Sequence, residues 1–360
     1  MRTAYAEASP SLALIKYWGK QEDGVNIPAT TSIAVGLDAL RTRTTVRTGT
    51  PGHAADMPSH AAGTPSHAAG TPHHTAGTGL DESPDFSVTV DGEIQDPHHF
   101  SAVINALRSR ARELGVRRAG DRLDIESHNN FPTAAGVASS SSGFAALVLA
   151  LDAYFELNLE PQEASRTARE GSGSAARSVY DGFTRFDAGA SAARQLYPAD
   201  YWPELRVLVA LTDTGRKPTG SRSGMNHTRN TSPFYRPWVD DSFSLAEAAA
   251  RALGNRDIEA LGTHMRESYL RMTGTMLAAS PAVIYWKPES LALIELCARL
   301  REQGIAAWET MDAGPQVKIL TTDTDLAAVR DAVEQSGAAR RTIESAAGGT
   351  VIMHANETAE

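Results

Sequence analysis

The chain of 360 residues alternates strand-like and helix-like stretches along its length, and this alternation constrains its fold more than any other feature. Residues 42–48 and 86–90 alternate polar and apolar side chains, as half-buried strands do, and Asp91-Gly92 then predicts a hairpin turn. Because the alternation has no regular βαβ period, it predicts two α+β domains rather than one doubly wound sheet. Further helices are predicted over 98–114, 143–157, 162–170, 245–253, 257–273 and 290–303, and further strands over 122–127, 205–212, 306–310 and 317–321.

The composition excludes several classes of protein. Hydrophobic residues make up 41% of the chain and charged residues 21%, as in ordinary globular proteins. With 34 Lys+Arg against 43 Asp+Glu, the formal net charge of −9 argues against nucleic acid or an anionic membrane as the main partner. The longest apolar run, residues 144–151, is too short to cross a membrane, and lysines interrupt the apolar stretch near the N-terminus, which excludes a signal peptide. We therefore expect a soluble cytoplasmic protein.

The chain has a single cysteine, Cys297. One cysteine excludes an intramolecular disulfide and any zinc site built from several cysteines. Because Cys297 lies in the apolar stretch LALIELCARL, we expect a buried structural thiol.

Residues 51–78 form four seven-residue units, PGHAADM, PSHAAGT, PSHAAGT and PHHTAGT. The prolines and glycines, and the absence of a large apolar seam, exclude a helical coiled coil. The tract is predicted to be a solvated, flexible loop inserted between two neighbouring strands. Two interpretations of its histidines stay open, loose capture of a metal ion or a surface insert without a specific role. These histidines are His53, His60, His67, His73 and His74.

The first of four segments that suggest chemistry is SPSLALIKYWGK, residues 9–20. Lys16 and Lys20 flank Tyr17 and Trp18, and a lysine ammonium there could neutralise a phosphate or carboxylate. The alternative is an edge strand that ends in solvated lysines.

The second segment is PTAAGVASSSSG, residues 132–143, which precedes an apolar helix. Free backbone N–H groups and serine hydroxyls at the positive end of a helix suit a polyphosphate. The Walker pattern is not present, because no Gly-Lys-Ser/Thr follows. An ordinary serine-rich helix cap is the alternative.

The third segment, GSGSAAR at 171–177, places Ser172, Gly173, Ser174 and Arg177 close together. Their hydroxyls, backbone and guanidinium could converge on an anion, with bidentate contact from the arginine. A flexible linker with a chance arginine is the alternative.

The fourth segment is TMDAGP, residues 310–315. Asp312 lies at a strand-to-turn junction, where a buried carboxylate could act on a hydroxyl group. Asp-Ala-Gly-Pro also suits a purely structural turn.

Together, and in this order, the four segments resemble the diphosphomevalonate decarboxylases of the GHMP kinase superfamily. A fifth stretch, KPTGSRSGMNHTRNTSPF at 217–234, resembles the substrate loop of that family. The similarity spans about residues 9–320, with the repeat tract as an insertion. KYWGK and GSGSAAR are typical of the decarboxylase branch, whereas the serine-rich loop is shared with many GHMP kinases.

The resemblance implies a two-domain α+β fold with the active site in the cleft between the domains. It implies a ribosomal protein S5 domain 2-like N-terminal domain over 1–190 and a ferredoxin-like C-terminal domain over 191–360. The implied reaction uses ATP and Mg2+ to phosphorylate the C3 hydroxyl of (R)-5-diphosphomevalonate. Loss of phosphate and CO2 then gives isopentenyl diphosphate and ADP. The resemblance further implies a homodimer and no metal held by protein ligands alone.

The resemblance also assigns roles to individual residues. Asp312 would face the C3 hydroxyl as a base or an orienting group, and Lys16 would pair with Asp312 or with the substrate carboxylate. ATP phosphates would lie on Gly136, Ala138, Ser139, Ser140 and Ser141. The substrate would contact Tyr17, Lys20, Ser172, Gly173, Ser174, Arg177, Ser221, Arg222 and Met225.

Three departures from the family pattern are visible. Ser11-Leu12 stands where an Asn is common, so one polar substrate contact is shortened or lost. Ala176 replaces a usual Cys, and Gln316 replaces a usual Asn beside the catalytic turn. The Ser11 change leaves open a phosphomevalonate decarboxylase, which would use the monophosphate. Two further alternatives also stay open, a mevalonate-type kinase without decarboxylation and a non-catalytic sensor or metal-buffering protein.

Overall fold

The computed structural model of the chain describes residues 2–22, 25–49, 85–131, 139–213, 215, 219–349 and 351–357. Strands and helices are mixed in an α+β arrangement, as predicted. The strands are β1 (Arg2–Ala8), β2 (Ser11–Ile15), β3 (Ser32–Gly36), β4 (Thr42–Thr48), β5 (Phe86–Val90), β6 (Glu93–Ile94), β7 (Leu123–Asn129), β8 (Phe183–Phe186), β9 (Arg194–Tyr197), β10 (Leu205–Leu211), β11 (Trp308–Met311), β12 (Val317–Thr322), β13 (Arg341–Ala346) and β14 (Ile352–Glu357). The α-helices are α1 (Ser101–Glu113), α2 (Ser139–Phe155), α3 (Pro161–Gly171), α4 (Ser221–Thr231), α5 (Tyr235–Gly254), α6 (Ile258–Leu277), α7 (Pro288–Glu302) and α8 (Leu326–Gln335).

The largest sheet has six strands in the order β14-β1-β4-β7-β5-β6. Its strand β1 alternates buried and half-buried residues, and the buried Ala4, Ala6 and Ala8 belong to the same core as the apolar residues of α2. Such small side chains let a helix approach the sheet closely. Helix α2 is thereby held against β1 and β4 of this sheet.

Two four-stranded sheets complete the described fold, in the orders β2-β3-β8-β9 and β11-β12-β10-β13. Residues from both sheets share one hydrophobic core with α5 and α6, and examples are Leu14 and Val209. Helices α7 and α8 cover the opposite face of the second of these sheets. Strands β2 and β12 therefore lie on either side of a common core.

Two strands beyond residue 190 pair with strands that precede it. Strand β14 lies antiparallel to β1, with Ala4 opposite Ala355, and β9 lies antiparallel to β8. The pairing of β14 with β1 joins the two ends of the described chain, and no local sequence pattern predicts it.

Several local predictions are confirmed. Strands β4 and β5 have the predicted bounds, and Asp91 and Gly92 turn between β5 and β6 with φ angles of 50° and 82°. Positive φ at both central residues is what a tight hairpin turn requires. Cys297 is fully buried in the core beneath α7, and burial raises the pKa of its thiol.

Other predictions are wrong. The repeat tract at 51–78 lies outside the described residues, but the strands that flank it, β4 and β5, are not neighbours, because β7 lies between them. The serines at 139–142 form the first turn of α2 rather than a loop. Residues 221–231, expected as part of a loop, form the helix α4. In the part of the chain that the structure describes, we find no helix long and apolar enough to span a membrane.

Candidate active site

Asp312 lies directly after β11 and is held by two buried lysines. The ammonium of Lys16 donates to its Oδ1 at 2.7 Å, and that of Lys318 donates to its Oδ2 at 3.0 Å. The Lys16 and Lys318 side chains are 1% and 2% exposed, whereas that of Asp312 is 25% exposed. The carboxylate is therefore the accessible end of the cluster, and its two cations lie beneath it.

Different elements fix each member of this cluster. Lys16 follows β2, where its backbone N–H donates to Ser268 Oγ of α6 at 2.9 Å and its ammonium donates to the Ala13 carbonyl at 2.7 Å. Lys318 is part of β12 and lies opposite Thr310 of β11. Since side chains two residues apart on a strand share a face, Asp312 lies on the same side of the sheet as Thr310 and Lys318.

The charges of these groups shift one another's pKa values. Burial alone would raise the pKa of Asp312, but the charges and hydrogen bonds of Lys16 and Lys318 outweigh it and hold that pKa well below its usual range. Burial lowers the pKa of Lys16 to about 8, although Asp312 acts in the opposite direction. Asp312 is thus ionised at neutral pH, and Lys16 titrates near the physiological range.

Tyr17 and the GSGSAAR segment meet beside this cluster. A Cβ added to Gly173 would lie 2.1 Å from the Tyr17 hydroxyl oxygen, so the tyrosine reaches over a position where only glycine fits. The guanidinium of Arg177 lies 5.9 Å from the centroid of the Tyr17 ring and donates to Ser32 Oγ at 2.5 Å. Burial lowers the pKa of Arg177 to about 10, which still leaves it charged at neutral pH.

The hydroxyl groups of this segment lie next to each other. Ser172 Oγ and Ser174 Oγ are 3.2 Å apart and half-buried, at the start of the 3-10 helix Gly173–Ala176. The Tyr17 hydroxyl is buried and has no hydrogen-bond partner among the described residues. Burial raises its pKa to about 12, so it is a hydrogen-bond donor at neutral pH.

Helix α4 brings the 217–234 stretch to the same place. Arg222 Nη2 donates to the Gly171 carbonyl at 3.0 Å, which ties the first turn of α4 to the end of α3. Ser221 begins α4, and Met225 is buried in a cluster with Trp18. Lys20 is buried, and its carbonyl accepts from Arg229 of α4 at 3.5 Å.

The local structure requires glycine at position 19, in the KYWGK segment. Gly19 has a φ of 126°, a conformation that side chains rarely adopt. A Cβ there would also lie 2.3 Å from the hydroxyl oxygen of Tyr235, the first residue of α5. The Tyr235 hydroxyl is buried without a hydrogen-bond partner among the described residues.

The serine-rich segment is described only in part. Gly136 and Ala138 lie outside the described residues. Ser139, Ser140 and Ser141 form the first turn of α2, at the positive end of the helix dipole, and Ser141 is fully buried. Ser142 lies 2.6 Å, oxygen to oxygen, from Thr42 Oγ1 of β4, which anchors this helix end to the large sheet.

The three departures from the family pattern have different consequences. Ser11 is buried in β2, and its hydroxyl has no partner among the described residues. Ala176 is fully buried beside Phe186, where a small apolar side chain fits. The longer side chain of Gln316 reaches the residue after β10, because its Oε1 accepts from the Thr212 backbone N–H at 2.6 Å. Gln316 therefore braces the turn that follows Asp312.

Across the described ranges, no group of three or more His, Cys, Asp or Glu side chains is arranged to hold a metal ion. The histidines of the repeat tract lie outside those ranges. The site is instead rich in hydrogen-bond donors and cations around one carboxylate. Such a donor set suits anionic groups, and a metal ion could enter it together with phosphate oxygens.

Two site residues were missed by the sequence analysis. Lys318 interrupts the apolar run VKIL of β12, and a lone charge in an otherwise buried strand was a signal for it. Tyr235 stands in the mixed stretch SPFYRPWV, where no contrast with its neighbours marked it. Of the predicted residues that the structure describes, Lys16, Tyr17, Gly173, Arg177 and Asp312 come together most closely.

The fold and the site define a two-domain α+β protein of the GHMP kinase fold, with one carboxylate held among buried cations. The protein-family model of the diphosphomevalonate decarboxylase-like N-terminal domain matches residues 8–196 of the chain. The family model of the mevalonate 5-diphosphate decarboxylase C-terminal domain matches residues 207–359. The chain belongs to the diphosphomevalonate decarboxylase family.

Individual relatives agree with this assignment. The diphosphomevalonate decarboxylase of Eremothecium gossypii is 33% identical over 327 residues, which cover 87% of this chain and 76% of that protein. The crystal structure of mevalonate diphosphate decarboxylase from Staphylococcus aureus is 30% identical, with a TM-score of 0.81 and coverage of 99% of both chains. A structure of MDDEF in complex with MVAPP, AMPPCP and magnesium is 31% identical, with a TM-score of 0.80, and covers 98% of this chain and 99% of that one.

Proposed function

We propose that this chain is an ATP-dependent diphosphomevalonate decarboxylase that converts (R)-5-diphosphomevalonate to isopentenyl diphosphate, ADP, phosphate and CO2. The observation that carries this proposal is the ionised Asp312, held by Lys16 and Lys318 and flanked by Arg177. Membership of the family and the solved relatives support the same activity.

Asp312 accepts a hydrogen bond from the C3 hydroxyl of the substrate. A tertiary alcohol is a poor nucleophile, so its reaction needs an oriented O–H group and a firmly held phosphoryl donor. With one oxygen bound by each lysine, the carboxylate cannot rotate freely, and its remaining lone pairs are available to the substrate. As positive charge develops at C3 during loss of phosphate, the negative Asp312 stabilises it.

The basic residues bind the negative groups of the substrate. Lys16 and Arg177 are buried cations near one carboxylate, so the cluster has an excess of positive charge that an anionic group would balance. Arg177, with Ser172, Gly173 and Ser174, is assigned to the diphosphate. Other contacts with the substrate are assigned to Tyr17, Lys20, Ser221, Arg222 and Met225. Because the diphosphate contacts lie away from C3, their binding energy orients the reacting carbon.

ATP and Mg2+ are the cofactors of this reaction. ATP supplies the phosphoryl group, and Mg2+ neutralises charge on the phosphates. Ser139, Ser140 and Ser141 are assigned to the phosphates of ATP, because the first turn of α2 lies at the positive end of the helix dipole, which favours phosphate oxygens. Gly136 and Ala138 are assigned to the same phosphates from the family pattern alone. Mg2+ commonly takes several ligands from phosphates and water, which fits a site without an acidic cluster in the described residues.

Three further assignments belong to this proposal. The chain is expected to divide into domains over 1–190 and 191–360, to act as a homodimer, and to reside in the cytoplasm. The first family model ends at residue 196 and the second begins at residue 207, which supports a domain boundary close to residue 190.

The proposal is tested with the purified full chain, mevalonate diphosphate, ATP and Mg2+, with isopentenyl diphosphate identified by mass spectrometry. We expect isopentenyl diphosphate to accumulate with ADP. A product that retains the carboxyl group would identify a kinase without decarboxylation instead. No consumption of ATP would favour a non-catalytic protein.

A further inference from the structure

Lys318 is the least expected charged residue of the site. It occupies the middle of the four-stranded sheet, in β12, between β10 and β11, where its strand neighbours are Val209 and Thr310. Its side chain is 2% exposed. A lysine in such a place loses nearly all its hydration, so the fold tolerates it only with a compensating partner.

The face of the sheet from which Lys318 projects points toward the first half of the chain. Its cross-strand neighbour Val209 and its same-face neighbour Leu320 belong to the core shared with β2 and β3, whereas Val317 and Ile319 belong to the core beneath α7 and α8. Lys318 therefore approaches Asp312 from the sheet side, and Lys16 approaches it from the end of β2.

We propose that Lys318 is a positioning residue for Asp312, which holds Oδ2 in place while Lys16 holds Oδ1, so that the carboxylate has one orientation toward the substrate hydroxyl. This inference rests on the proposed function. Two lysines, one on each oxygen, fix the orientation of the carboxylate. One lysine would not, because a carboxylate held at a single oxygen can still rotate about its χ2 angle. The charge and hydrogen bond of Lys318 also hold the pKa of Asp312 low, in combination with those of Lys16.

The test compares Lys318→Met with Lys318→Arg. Methionine keeps the length and removes the charge, whereas arginine keeps the charge. For Lys318→Met we expect kcat to fall about 10²-fold, as for other small misplacements of a reacting group, with KM for mevalonate diphosphate within about threefold of wild type. We also expect the pKa of Asp312 to rise toward its usual range, because a cation that favours the ionised carboxyl group has been removed, so the acidic limb of the pH profile of kcat should move up into the accessible pH range. Lys318→Arg should keep the acidic limb of wild type.

The matched control is Arg301→Met. Arg301 donates to Glu309 Oε2 at 2.7 Å, so this change breaks another largely buried ion pair on β11, three residues from Asp312. It should lower Tm without moving the acidic limb. If Lys318→Met is not recovered as a folded protein, Lys318→Gln replaces it, with the same expected upward shift relative to Lys318→Arg.

The positioning role is contradicted if the uncharged variant keeps kcat within about threefold of wild type. It is also contradicted if its acidic limb coincides with those of Lys318→Arg and Arg301→Met, since Lys318 would then be structural only. Failure of the proposed function is a separate outcome, because it would appear as absence of decarboxylation by the wild-type chain itself.

Discussion

The ammonium of Lys16 donates to Oδ1 of Asp312 at 2.7 Å, although 296 positions separate the two residues along the chain. This ion pair joins the end of β2 to the turn after β11, and so it joins the two halves of the fold at the point where chemistry is proposed. Breaking a buried ion pair by removal of one partner typically costs about 3–5 kcal/mol. The same contact thus contributes to stability and sets the charge of the site.

Asp312→Asn should abolish most of the decarboxylase activity. The amide has nearly the same shape but is neutral, so it accepts a hydrogen bond weakly and cannot stabilise positive charge at C3. We expect kcat to fall by about 10²- to 10⁴-fold, the range of a lost acid–base or electrostatic contribution. ATP should still bind, which isothermal calorimetry would check. Turnover within tenfold of wild type would contradict the assigned role of Asp312.

The pH profile of the activity should fall at alkaline pH because Lys16 loses its proton. Burial lowers the pKa of Lys16 to about 8, so raising the pH through this value removes its proton and its positive charge from the site. We therefore expect kcat/KM, which reports the free enzyme, to fall above about pH 8. In kcat, bound anionic substrate should move this limb to higher pH.

Lys16→Arg provides the control for this pH dependence. An arginine stays protonated throughout the accessible range, so the alkaline limb near pH 8 should disappear even if the rate is lower. Persistence of the same limb in this variant would assign it to another group.

The substitution Gly173→Ala adds only one methyl group, but it should reduce the activity strongly. The added Cβ would lie 2.1 Å from the hydroxyl oxygen of Tyr17, so the tyrosine must move from its place beside Gly173 and Arg177. We expect at least a tenfold loss of kcat/KM, consistent with the sensitivity of catalysis to displacements of about 1 Å. The matched change Gly274→Ala in α6 meets no atom within 4 Å and should be active and slightly more stable. Equal activity of the two variants would contradict the proposed contact.

Arg222→Ala should weaken substrate binding more than it slows the reaction. If Arg222 contacts the diphosphate, loss of a charge-assisted hydrogen bond worth about 1.5–3 kcal/mol should raise KM by about 10- to 150-fold, with a smaller change in kcat. The effect should be smaller with the monophosphate substrate. Arg236→Ala removes an exposed arginine that pairs with Asp240, and it should leave KM unchanged.

A greater kcat/KM of wild type for the monophosphate than for the diphosphate would assign the chain to phosphomevalonate decarboxylation instead.

Glu309→Gln should destabilise the domain while sparing the chemistry. Glu309 is fully buried and accepts from Arg266, Arg301 and the Tyr269 hydroxyl. Removing its charge leaves two arginines without their carboxylate, and we expect a loss of about 3–5 kcal/mol in the free energy of unfolding, measured with urea. An unchanged stability would show that the arginines find other partners.

The sequence supported local predictions better than long-range ones. Strands β4 and β5 and the turn at Asp91-Gly92 follow from alternation and turn chemistry, which act within a few residues. The insertion of β7 between β4 and β5, and the return of β14 to β1, depend on pairings between distant segments that no local pattern specifies.

The candidate site divides in the same way. The ion pair of Lys16 with Asp312 was expected because both residues lie in segments that resemble a known family. Lys318 was missed because only the register of the sheet brings it close to Asp312. Its cross-strand neighbour is Thr310, and Asp312 lies two residues beyond Thr310. Tyr235 was missed for a related reason, since its closeness to Gly19 depends on how α5 packs on the first half of the chain.

The ratio of CO2 to ADP formed from mevalonate diphosphate and ATP tests the central claim most directly. If Asp312, Lys16 and Lys318 support both phosphorylation and decarboxylation, wild type should release one CO2 for each ADP, and Asp312→Asn should form little of either. ADP formation without CO2 by the wild-type chain would contradict the assignment of this site as a decarboxylase.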